Sequence, residues 1–259
     1  MADLNHVTLV CESTLDFKEC TRQLITALDD DLRRLSHRIP KSVEAAFGAE
    51  VRWAFKLADN PDLHPEGLIF EPAAKISVRD LRELFFRLSP EPIVLSYATF
   101  DDQGLPNEAL IESLGSSLLR KQMSFRDIRM VGAREKDRVF EYLSPEKIPA
   151  SLSSHIYPVI RGTLASSLLQ YWNLLWIHPL ADGNGRVARA ILQMNLYRLY
   201  GPVAIFLPIT PLARVYAPEL IGSVIQTHDN ATVDPVVQAL TRLLILACEC
   251  AKEEWSELS

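Results

Sequence analysis

The chain has 259 residues, 48% of them hydrophobic and 23% charged, enough apolar material for a sizeable core in one large or two closely packed domains. A net charge of -6 excludes a general nucleic-acid binder, which needs a basic face, and makes a protein the better partner. No apolar run reaches the roughly 20 residues of a membrane span, and the opening M-A-D-L-N-H-V-T-L-V lacks the basic-then-apolar pattern of a secretory signal. Cys11, Cys20, Cys248 and Cys250 lack zinc-type spacing. The expectation is a soluble, reduced, cytoplasmic protein, with export by a route that uses no such signal left open.

In chain order, Phe17, Cys20, Leu24, Leu28, Leu32 and Leu35 form a helical stripe that stops at Ile39-Pro40. Val43, Ala46, Val51, Phe55 and Leu57 begin another run, and the stretch from Asp59 to Pro72, broken by prolines, reads as a surface loop. Val78 to Leu88 and Glu108 to Leu119 have helical spacing, with Ser77 and Asn107 as caps. Between Phe125 and Pro145 the pattern alternates around a polar turn, which predicts a β-hairpin with arms at Ile128 to Gly132 and Arg138 to Leu143. Ser144-Pro145-Glu146 then restarts a helix, because proline suits a first turn and the acid complements the dipole.

Leu164, Leu168, Trp172, Leu175 and Trp176 predict an amphipathic helix over Arg161 to Trp176 that delivers His178 from a buried stem. Val187, Ala190, Ile191, Met194 and Tyr197 predict a second helix before Pro202. With no internal repeat visible, the fold class is mainly α with one small hairpin.

Between the two helices lies I-H-P-L-A-D-G-N-G-R-V-A-R, Ile177 to Arg189. Each residue alone has an ordinary structural reading: a histidine closing an apolar run, a turn at Gly-Asn-Gly. Together they are the inventory of a phosphate-handling site. Gly183, Asn184, Gly185 and Arg186 fall at a helix N-terminus, where unpaired N–H groups and the dipole attract an anion. Arg186 and Arg189 are forked donors one turn apart, Asp182 is a hard oxygen ligand suited to Mg²⁺ on a polyphosphate, and His178 is a base near neutral pH.

This stretch resembles the signature of the Fic family, H-P-F-x-(D/E)-G-N-G-R-x-x-R, in which only Leu180 departs, standing where the family has phenylalanine. The resemblance implies a protein adenylyltransferase that moves AMP from Mg²⁺-bound ATP to a Tyr, Ser or Thr hydroxyl of a target protein. It implies His178 as general base, Asp182 as metal ligand, Gly183, Asn184 and Gly185 as anion hole, Arg186 on the inner phosphates and Arg189 at the γ-phosphate. Tyr216 occupies the place of a family tyrosine near the nucleotide base, with an ordinary half-buried aromatic as the equal alternative.

The hairpin, about 128–143, becomes the flap on which an extended target segment pairs. The implied architecture is a Fic-type helical bundle with a hairpin flap over 96–250, preceded by a helical region over 1–95 and followed by a tail, 251–259.

Leucine at 180 is a smaller, more flexible anchor, which implies a less rigid loop. Glycine at 185, where the phosphorylating Doc branch carries lysine, favours nucleotidyl over γ-phosphoryl transfer. The family's inhibitory pattern, (S/T)-x-x-x-E-(G/N), finds only D-L-H-P-E-G around Glu66, with aspartate in the wrong place and a proline beside it. Control by a separate inhibitory protein is therefore one expectation, beside an unrecognised internal element or no control. Three other readings stay open: removal of AMP from a modified protein, transfer of another NMP or of phosphate, and a non-catalytic nucleotide-binding module.

Overall fold

The computed structural model describes residues 17–38, 108–119, 121–135, 138–156, 163–205, 207–209, 212–213, 216–230 and 232–256. The sequence readings over 39–107, Glu66 and Ser77 included, lie outside these residues, as does the cap at Asn107. The chain divides into two compact units, Met1–Asp16 with Leu88–Asn195, and Phe17–Arg87 with Leu196–Ser259.

In the first unit, helix α2 spans Glu108–Leu119, the range its periodicity predicts. Strands β1 (Val131–Glu135) and β2 (Arg138–Glu141) pair antiparallel, with Val131 opposite Glu141 and Glu135 opposite Arg138, and the register shifts between Val131 and Arg134. The first arm thus starts three residues later than its alternation predicts. Upstream of the arm, Phe125 forms a bridge with Leu180, and the Arg126 N–H donates to Pro179 O at 2.8 Å.

After β2 a 3₁₀ turn, Pro145–Lys147, leads into α3, Ile148–His155, with prolines in the first turn of each. Helix α4, Leu164–Ile177, is capped by the Thr163 side chain, which accepts from the Ser166 N–H. It is not amphipathic: all but two of its residues, Ala165 and Leu175, are buried. Three of the polar ones are held inside by hydrogen bonds. Gln170 donates to Ile156 O at 2.7 Å and accepts from Asn195, and the Ser166 and Ser167 hydroxyls donate to Thr163 O. Helix α5, Asn184–Tyr200, of which Asn184 to Asn195 belong to this unit, completes the helix–loop–helix read from the motif.

The second unit contains α1 (Glu19–Ser36), α6 (Ala217–Asn230) and α7 (Asp234–Ser256), with α1 and α6 both packing on α7. Leu28, Leu32 and Leu35 carry the buried face of α1, whereas Cys20, read as part of the stripe, is exposed. The buried Asp234 joins the two helix starts: its Oδ1 accepts from Lys18 N at 3.1 Å and from the Thr21 hydroxyl, its Oδ2 from Thr232 at 2.8 Å. Burial raises its pKa, but these hydrogen bonds outweigh burial and hold it below the ordinary carboxylate value. Among the described residues no helix is long and apolar enough to cross a membrane.

Candidate active site

Helix α4 ends at His178, whose N–H closes the last turn on Leu174 O at 3.0 Å and whose own backbone is left-handed, φ 49° and ψ 58°. Non-glycine residues rarely adopt this conformation, and the proline that follows forbids the helix to continue. The turn throws the imidazole off the helix axis.

Its Nδ1 lies 3.3 Å from Leu175 O. A carbonyl only accepts, so this contact assigns the ring proton to Nδ1 and leaves the Nε2 lone pair as the basic site. Tyr142 stacks flat on the ring, 3.8 Å between centroids and 9° between planes. Burial is the main reason the imidazole pKa falls to about 4, opposed by the Leu175 contact and reinforced by the positive charge of Arg126. His178 is therefore neutral across the physiological range.

The loop from Pro179 to Gly183 is built around Leu180 and Asn184. Leu180 N–H donates to Asn184 Oδ1 at 2.8 Å, and Asn184 Nδ2 donates to Leu180 O at 2.7 Å. The Oδ1 and one N–H of this buried side chain are thus spent on the loop, and the group of Asn184 placed at the helix start for an anion is its backbone N–H. The N–H groups of Arg186 and Val187 turn back to Gly183 O, at 2.9 and 3.0 Å, so those of Asn184 and Gly185 form the mouth of α5.

Gly183 (φ 81°) has two reasons to lack a side chain, because a Cβ there would also stand 2.6 Å from Leu119 Cδ1. At Gly185 a Cβ would stand 3.3 Å from Arg189 Nη1. Glycine there leaves room for that guanidinium, which also hydrogen-bonds the buried Tyr171 hydroxyl.

Asp182 is half exposed, with Lys121 Nζ at 3.7 Å and Arg186 Nη2 at 4.0 Å. These contacts are at the long limit of an ion pair, in solvent, and are worth little. A single open carboxylate fits Mg²⁺, which keeps several waters and takes its other ligands from phosphate oxygens. No cluster of three metal-ligating side chains occurs among the described residues.

The structure therefore gathers His178, Asp182, Gly183, Asn184, Gly185, Arg186 and Arg189 on one loop and one helix start. Tyr216 belongs to the second unit, where it is buried and its hydroxyl pKa is pushed up to about 12, chiefly by burial. Sequence reasoning missed Arg126, Tyr142, Lys121 and Tyr171. Only Tyr142 carried a signal, the alternation of the hairpin's second arm; the others are placed by partners distant in the chain.

Leu180 is fully buried, and its Cδ1 lies 2.6 Å from where a Cβ on Gly115 would stand. Leucine fills its site, and the loop's firmness comes from Asn184 as much as from that side chain. We expect Leu180→Phe to press on the Gly115 backbone and to cost about 1–3 kcal/mol by overpacking. Calorimetric melting checks this at about 2–4 °C per kcal/mol for a chain of this size. An unchanged melting temperature would mean the pocket has room for the ring.

Residues 106–196 match the Fic/DOC family. The fold as a whole is similar to that of a Fic family protein from Desulfovibrio desulfuricans, with a TM-score of 0.63 at 15% identity over 94% of this chain and 76% of that one. A Fic domain containing signaling protein from Bacteroides thetaiotaomicron gives 0.54 at 19% identity, over 89% and 97%. Fic-1 of C. elegans gives 0.58 at 14%, over 93% and 74%. At these identities the likeness concerns the fold, a helical Fic fold. No curated protein matches in sequence.

Proposed function

On the premise that residues 106–196 are a Fic/DOC segment within a Fic fold, we propose that the protein is an adenylyltransferase acting on a hydroxyl of a target protein. The observation that carries this reading is the placement of His178 at the end of α4, its Nδ1 against Leu175 O and its Nε2 left as the basic site, one short loop away from the amides that open α5. In the proposed reaction the target hydroxyl oxygen attacks the α-phosphorus of ATP. The new O–P bond forms as the bond to the bridging oxygen breaks, pyrophosphate leaves, and the hydroxyl proton passes to His178 Nε2.

The amides of Asn184 and Gly185 hold phosphate oxygens, Arg186 the inner phosphates and Arg189 the γ-phosphate. Mg²⁺ held by Asp182 would neutralise phosphate charge. Tyr216 is proposed at the nucleotide base. The target lies as an extended segment along the hairpin, where Ile128 and Val131 stand exposed. A separate inhibitory protein remains the proposed form of control.

The test is incubation of the chain with Mg²⁺ and ATP labelled at the α- or the γ-phosphate, followed by intact-mass spectrometry. Gain of AMP with the α-label supports adenylyl transfer. Arrival of the γ-label would make the enzyme a phosphotransferase, and binding of ATP with no transfer, to the chain itself or to cell-extract proteins, would leave a nucleotide-binding module. Within this reading, we expect Arg189→Ala to weaken ATP by about 10-fold or more while barely affecting ADP, the size of one lost charge-assisted contact. Equal losses in calorimetric titrations of both nucleotides would remove Arg189 from the γ-phosphate.

A further inference from the structure

Arg126 is 4% exposed, and its guanidinium donates to four main-chain carbonyls. Nε reaches His178 O at 2.6 Å, Nη2 reaches Ile177 O at 3.2 Å and also Leu143 O, and Nη1 reaches Ile128 O at 2.7 Å. Two of these carbonyls end α4. The other two flank the hairpin at its foot, one before β1 and one after β2.

The neighbouring residue, Tyr142, supplies the ring stacked on the imidazole, and its N–H donates to Met130 O at 3.0 Å across the same foot. The backbone of His178 is thus held from one side and its ring from the other, in a left-handed conformation that needs such holding. A planar fork that is always charged can span four carbonyls in this way, and a lysine ammonium cannot.

We infer that Arg126 and Tyr142 are positioning residues that fix the aim of the His178 imidazole to the foot of the hairpin. The segment held along the hairpin and the base that takes its proton are then placed as one body. The inference rests on the adenylyl-transfer reading for its purpose, but the clamp itself is a matter of ring position. A displacement of about 1 Å between reacting groups costs on the order of 10²-fold in rate.

Four variants of the full chain test it: Arg126→Lys, Arg126→Gln, Tyr142→Phe and Tyr142→Ala. The primary readout is the titration of the His178 ring by NMR without nucleotide, which a purely structural role elsewhere would not move. Arg126→Lys and Tyr142→Ala should shift the midpoint upward toward the ordinary value of about 6.5, and Arg126→Gln further than Arg126→Lys because it also removes the positive charge that lowers the imidazole pKa, while Tyr142→Phe, which keeps the stack, should leave it in place.

At saturating Mg·ATP the rate should fall about 10²-fold in the Arg126 variants and about 10-fold in Tyr142→Ala, with the KM for ATP kept within about twofold. An unmoved titration in the variants that fold overturns the clamp whatever the rate, as does an equal shift in Tyr142→Phe and Tyr142→Ala. If the Arg126 variants fail to fold, the Tyr142 pair decides alone. Should the parent chain transfer no nucleotide, the functional reading fails while the ring titration still decides the clamp.

Discussion

Replacing His178 with alanine is expected to lower adenylyl transfer by about 10²–10⁴-fold, the usual contribution of a positioned general base, while leaving Mg·ATP affinity within about twofold. The split follows from geometry, because the imidazole is aimed from the end of α4 whereas the amides of Asn184 and Gly185 and both arginines belong to α5. Label incorporation by mutant and parent at comparable rates would remove His178 as the base.

The same residue predicts an unusual acid limb. Because burial depresses its pKa to about 4, the imidazole stays neutral and competent down to about pH 5, and the rate should fall only as pH drops through about 4. A midpoint near the ordinary value of about 6.5 would mean a solvated base. The stability sign follows from linkage. Between about 6.5 and 4 the unfolded chain binds a proton at this site that the folded chain does not, so the contribution of His178 is present above pH 6.5 and lost as pH falls toward 4. His178→Ala should flatten that part of the stability curve.

Elements fixed by local pattern were legible in the sequence. Helix α2 follows from its own spacing, and the restart at Pro145 follows from turn chemistry. The helix–loop–helix around the motif was legible too, from the helical spacing on either side of it.

What was hidden depends on partners distant in the chain. Before the first hairpin arm, Phe125 and Arg126 pair with Leu180 and Pro179, more than fifty residues away, a pairing that the local alternation does not show. Helix α4 reads as amphipathic because its polar residues look solvent-facing, yet Gln170 and Asn173 are buried, and the bonding partners of Gln170, Ile156 and Asn195, lie far along the chain. Asn184 reads as an anion ligand because Gly-Asn-Gly sits at a helix start. Its side chain is instead the strut between that helix and Leu180, a role visible only once the loop has closed.

Gly183 joins both kinds of information, and its substitution separates them. Alanine there must hold φ near 81°, at about 1–2 kcal/mol for a residue with a Cβ, and must also displace Leu119, whose Cδ1 would lie 2.6 Å away. Adding about 1–3 kcal/mol of overpacking gives about 2–5 kcal/mol for Gly183→Ala, enough to disorganise the amides at the mouth of α5. Gly201 is the internal comparison: its φ is 74°, but a Cβ there meets nothing within 4 Å, so Gly201→Ala should lose only the conformational part, about 1–2 kcal/mol. Leu119→Ala in the Gly183→Ala background should recover part of the excess, a coupling that a double-mutant cycle reads directly. Equal losses at 183 and 201, with no coupling to Leu119, would show that Leu119 yields freely, leaving the left-handed backbone as the whole reason for glycine at the anion hole.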